Sequence, residues 1–148
     1  MTWKSKRMKS PQYFHGQHKP EAEQPRQMLY LTPESKYARA YGPNIFSYDF
    51  DPDRPLDLRL YSNKPVSYRT LKAIFEKAGI DIDGIVPEDY QTGVAEPIWF
   101  WIIRYKEIVD RVKPHGYDSI LLVESHPAIR GKYESAIVLD PKTVFLRA

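Results

Sequence analysis

Proline interrupts this chain thirteen times and glycine appears only 7 times, so the fold must be assembled from short elements joined by many stiff loops. Between the interruptions lie two kinds of pattern. Short β-type runs occupy both ends, at 12–15, 28–31, 45–50, 56–60, 119–123, 136–139 and 143–146. The middle carries helical spacing. Leu71, Ile74, Phe75 and Ala78 mark a helix over 66–78 that stops before Gly79. Ile98, Ile102, Tyr105, Ile108, Val109 and Val112 mark one amphipathic helix, closed by Pro114 and Gly116. A shorter helix is expected from Thr32 to about Tyr41, with Thr32 as N-cap, Pro33 at the first helical position and Gly42-Pro43 as its stop. Strands at both ends with helices between them predict an α+β domain.

At 148 residues the chain has room for one core, and a hydrophobic share of 42% is enough to fill it. Residues 11–148 are read as that single domain. Residues 1–10 are read as a solvated basic N-terminus, because Lys4, Lys6, Arg7 and Lys9 meet no acidic neighbour there. The remaining charge is nearly balanced within a net +3, so charge alone does not imply nucleic-acid binding. The absence of cysteine excludes disulfides and thiolate chemistry. No signal-peptide core is found, and the most apolar stretch, Pro97 to Ile103, is too short to cross a bilayer. A soluble, cytoplasmic protein without a membrane partner is the expectation. Phosphate-loop, dinucleotide, zincin and nucleophile-elbow motifs are all missing. His15, His18, His115 and His126 have no metal-ligand spacing.

One constellation stands out in the first third. His15 ends a strand and precedes Gly16, where backbone can come close to a ligand. Tyr30 lies in the next strand and Tyr41 closes the helix after it. Two phenol rings on neighbouring elements can face each other across a gap. Their negative faces favour a flat cationic ring, such as oxidised nicotinamide.

Tyr13-Phe14-His15-Gly16, then Leu29-Tyr30-Leu31-Thr32 with Ala38-x-x-Tyr41, resembles the His-Tyr-Glu clade of ADP-ribosyltransferases, the diphtheria-toxin-like and poly(ADP-ribose) polymerase-like enzymes. The eleven-residue interval from Tyr30 to Tyr41 fits that pattern, and 116–120 with 134–141 is similar to its ending. The likeness spans 12–147, with 61–113 as a less typical helical insertion. It implies a split β-sandwich carrying that insertion, NAD as co-substrate, and transfer of ADP-ribose to a macromolecular acceptor, protein or nucleic acid. By the same resemblance His15 would hold a ribose hydroxyl and Gly16 the carboxamide. Tyr30 and Tyr41 would sandwich the ring, with Thr32 beside them. A glutamate would stabilise the oxocarbenium-like transition state.

That third position is where the pattern departs. Counting back from Asp140-Pro141 puts Ser135 where the glutamate belongs and Glu134 one residue early. Alternation along a strand would turn Glu134 away unless a bulge intervenes. Glu134 with a bulge is the preferred assignment over a site with no glutamate, and Glu124, beyond the 125–127 loop, is a less favoured substitute. Gln17 stands where the clade often has threonine, and the arginine-modifying branch's motifs are absent. Singly, each residue has a plainer reading: His15 as a turn residue, the tyrosines as core edges, Trp99, Trp101 and Tyr105 as helix packing. Two other functions remain open: an inert NAD-binding or interaction module of the same fold, and a small basic nucleic-acid adaptor.

Overall fold

A computed structural model describes residues 12–22, 24–26, 28–62, 64–91, 93–125 and 131–147. The basic segment and His126 lie outside the described residues. Three strands, β1 (Gln12–Gln17), β3 (Asn44–Phe50) and β9 (Val144–Leu146), form an antiparallel sheet in the order β1-β3-β9. Four more, β2 (Leu29–Leu31), β4 (Pro55–Asp57), β7 (Ser119–Ser125) and β8 (Lys132–Val138), form a second sheet ordered β2-β8-β7-β4. Only β4 and β7 run parallel within it. A short pair, β5 (Val66–Ser67) with β6 (Ala95–Glu96), edges the helical region.

Both faces of the four-stranded sheet are buried. One face gives Leu29, Leu31, Leu121, Ala136 and Val138 to a core shared with Tyr13, Tyr48, Phe50 and Val144 of the other sheet. The opposite face gives Ile120, Leu122 and Ile137 to a larger core built with α2 (Tyr68–Lys77), α3 (Ile98–Arg104) and α4 (Glu107–Val112). The result is three layers, and the α+β expectation holds. No helix among the described residues is long and apolar enough to cross a membrane.

Most strands and α2 fall close to where the pattern puts them, although β8 starts at Lys132, well before the expected 136. Ser67 caps α2 by accepting from the Thr70 N–H. Trp101 is buried and its indole N–H donates to the Val66 carbonyl, so it serves packing as expected. Three expectations change. The helix over 32–41 shrinks to α1 (Ser35–Ala38) followed by a 3-10 turn at Arg39–Tyr41. Thr32 does not cap it, because Glu34 holds the N-cap position and Thr32 is drawn into a bridge with Phe14, its N–H and C=O paired at 2.9 and 2.7 Å. The strand expected at 56–60 is Pro55–Asp57, with a 3-10 turn at Arg59–Tyr61. The single helix over 98–112 breaks at Tyr105, whose φ of −118° and ψ of 76° leave helical space.

The Phe14–Thr32 bridge is also the seam where the two sheets meet. Gly16 stands beside it for a steric reason: a Cβ there would lie 1.8 Å from the Ala38 carbonyl oxygen. The close approach expected at this glycine is made by the chain's own α1. Gly16→Ala should therefore lower the unfolding free energy in urea by about 1–3 kcal/mol or more, as overpacking does. A variant as stable as the parent would contradict this contact.

Candidate functional site

A cleft of about 340 Å³ opens at the seam, within the roughly 300–1,000 Å³ range of small-molecule pockets. Phe14, His15 and Gly16 of β1 and Tyr30, Leu31 and Thr32 at β2 form one wall. Ala38 and Tyr41 close it from the α1 side, Ile103 and Lys106 from the break between α3 and α4. Glu124 of β7 with Tyr133 and Ser135 of β8 form the floor.

Five of the six residues singled out in the sequence thus meet in one cleft: His15, Gly16, Tyr30, Thr32 and Tyr41. His15 is fixed by a 2.9 Å hydrogen bond between Nδ1 and the Tyr30 carbonyl oxygen. A carbonyl only accepts, so Nδ1 carries the proton and Nε2 is the acceptor of the neutral ring. Thr32 lines the cleft with its hydroxyl engaged, since Oγ1 donates to the Glu134 carbonyl at 3.1 Å.

The sixth, Glu134, is corrected. Strands β7 and β8 pair in unbroken register from Ser119↔Val138 to Ser125↔Lys132, with no bulge near Tyr133 or Ser135. Alternation then sends the 133 and 135 side chains to the cleft and the 134 side chain to the other face. There its carboxylate pairs with Arg59 at 3.3 Å and the side chain is 53% exposed. Arg59 is held mainly by Asp57, at 2.7 Å.

The carboxylate in the cleft is Glu124, 6% exposed. Opposite Tyr133 in the register, it shares that residue's face. The Tyr41 hydroxyl donates to Glu124 Oε1 at 3.4 Å and meets the Tyr133 hydroxyl at 2.5 Å. Tyr37 stacks on Tyr133 with ring centres 4.7 Å apart. Burial raises the Glu124 pKa, against the nearby Ser135 and Tyr41 hydroxyls, which favour the anion. Burial followed by the Glu124 charge raises Tyr30 and Tyr41. Burial pushes Tyr133 up to about 12. The Ser135 hydroxyl is near enough to Glu124 to favour its ionised form, yet it is buried with no hydrogen bond of good geometry.

Glu124 is only a less favoured substitute in the sequence, which does not mark Tyr133, Ile103 or Lys106 as site residues. The signal was in reach: reading β8 from Lys132 and pairing it with 119–125 puts Glu124 beside Tyr133 on the Ser135 face. No family model, curated protein or solved structure matches the chain.

The raised Glu124 pKa ties stability to pH. Below its ordinary value the carboxyl is neutral in both folded and unfolded chains, and its contribution is complete. As pH rises through the elevated folded value, the buried charge forms at a cost and that contribution is lost. Chemical denaturation should show Glu124→Gln gaining on the parent protein between pH 4 and pH 8, both on the order of ordinary assay limits. An equal difference at the two pH values would contradict a raised pKa.

Proposed function

We propose that the chain is an ADP-ribosyltransferase of the His-Tyr-Glu type that cleaves the nicotinamide–ribose bond of NAD, with Glu124 supplying the carboxylate. The observation that carries this is the meeting of His15, Tyr30 and Tyr41 with a buried carboxylate in a single cleft at the sheet seam. In this reading the two sheets form the split β-sandwich, and α2 to α4 belong to the helical insertion.

The cleft chemistry suits a cationic ring. Tyr30 and Tyr41 offer phenol faces, and Glu124 provides charge in a largely desolvated setting. With the ring between the tyrosines, the Nε2 atom of His15 accepts from a ribose hydroxyl. As the C1′–N bond breaks, its electron pair leaves with neutral nicotinamide and positive charge develops on the ribose. The ionised Glu124 stabilises that charge. An acceptor nucleophile, on a protein or a nucleic acid, then forms the new bond to C1′ and gives up its proton.

An inert NAD-binding module has its own supporting observation, since Ser135 stands where the clade carries glutamate and burial disfavours the Glu124 anion. Titration calorimetry with NAD, run beside a nicotinamide-release assay, separates the two. The enzyme binds and releases; the inert module binds only. Glu124→Gln should lower release on the order of 100-fold or more. Tyr30→Ala should weaken NAD binding about tenfold, a loss typical of a desolvated cation–π contact. Glu134→Gln should leave both unchanged. No NAD binding by the parent protein, or lost turnover in Glu134→Gln with an active Glu124→Gln, would overturn the assignment.

A further inference from the structure

Glu124 stands in the wall of two cavities. Besides the cleft, it lines a smaller pocket of about 110 Å³, and the two share no other residue. The second pocket opens between the chain after the Arg59–Tyr61 turn, the start of α3, and the ends of β7 and β8. Trp99 lines this pocket and Ile103 the cleft, four residues apart on α3. The two openings are thus separated by about one helical turn, roughly 6 Å along the axis. The pocket is well below the roughly 300–1,000 Å³ that takes a whole small ligand, so it suits one flat group of a larger molecule. Trp99 is half-buried, packed against the helical core on one side and flanked in the pocket by Pro65 and Pro97. Lys64 and Lys132 are exposed at the rim. Glu124 is the only carboxylate among the described residues that line it.

We infer that this second pocket receives the acceptor, and that the acceptor is a single-stranded nucleic acid. One unpaired base stacks on the Trp99 indole while Lys64 and Lys132 take the flanking phosphates. The position of Glu124 decides against an acidic peptide. A carboxylate side chain entering the pocket would meet a like charge in a desolvated wall. A neutral base brings N–H donors to that wall and keeps its negative charge outside, where the two lysines stand. The inference rests on the NAD reading for the group that is transferred. In that transfer the lone pair of a nitrogen or oxygen of the held nucleotide forms the bond to C1′. The pair of the broken C1′–N bond leaves with nicotinamide, and the acceptor's proton passes to the Glu124 carboxylate, which reaches both cavities.

Fluorescence anisotropy with a labelled single-stranded oligonucleotide of mixed sequence, as DNA and as RNA, tests the pocket across a salt series. The parent protein should bind at least one of the two strands, with affinity falling as salt rises. Lys64→Ala and Lys132→Ala should each reduce the slope of log affinity against log salt by about 0.7, the share of one phosphate on a single strand. Trp99→Ala should weaken binding about tenfold and leave that slope unchanged, as lost stacking does. Trp99→Tyr keeps an aromatic face and should recover most of the affinity, which separates stacking from a folding defect. Lys142→Ala, beyond the opposite end of β8, should leave the slope as in the parent. With NAD present, ADP-ribose should appear on the bound oligonucleotide. A parent protein that cleaves NAD but binds neither strand overturns the acceptor pocket and leaves the NAD reading intact. So does transfer to an acidic peptide with none to the oligonucleotide, or a slope lowered equally by Lys142→Ala. A parent protein that binds no NAD overturns the NAD reading and the acceptor role with it.

Discussion

The register of β7 against β8 decides which side chains this cleft can contain. Seven consecutive residue pairs run without a bulge, and each face of the sheet is committed to a different core. Ile120, Leu122 and Ile137 face the helices, while Leu121, Ala136 and Val138 face the other sheet. A slip of one residue would exchange the two sets and turn Glu134 to the cleft face, beside the buried carboxylate of Glu124. The hydrophobic pattern therefore holds Glu134 outside and delivers Tyr133 and Ser135 inside. A carboxylate can enter from this pair of strands only on the Glu124 face.

Much of this was legible in the sequence. The strands at both ends and the α2 helix follow from period-2 and helical spacing, and His15, Tyr30 and Tyr41 were gathered from their order and interval. What was not legible depended on partners distant in sequence. Thr32 has the chemistry of an N-cap, but its backbone is taken by Phe14, and helix-start rules do not see a bridge across two strands. The spacing through 98–112 is helical throughout, so nothing local marks the break at Tyr105. Glu134 is the glutamate nearest in sequence to the expected position. The three-dimensional neighbour of that position is Glu124, one strand away.

The seam explains why the cleft lies where it does. The sheets are joined there by the Phe14–Thr32 bridge, and the His15 imidazole adds a second tie to the Tyr30 carbonyl. Beyond that contact β1 continues with β3 and β2 with β8, so the two sheets part. Gly16 lets α1 approach the opening from one side. The break after α3 brings Ile103 and Lys106 to it from another. Elements from both sheets and from the helical layer thus enclose a space that no single pair of them would form.

The electrostatic character of that space can be read from the tyrosines themselves. The Glu124 charge contributes to the raised pKa of Tyr30, Tyr41 and Tyr133 alike. Those three rings come from β2, from the turn after α1 and from β8, so one carboxylate acts on three sides of the cleft. A field that resists forming a phenolate resists any anion there and favours any cation by the same interaction. Water would weaken it, and burial is what keeps water away. The desolvation that makes Glu124 reluctant to ionise is therefore also what makes its charge effective when a cation arrives. A positively charged ring entering between Tyr30 and Tyr41 would favour the carboxylate that in turn holds it, coupling protonation of the floor to occupation of the cleft.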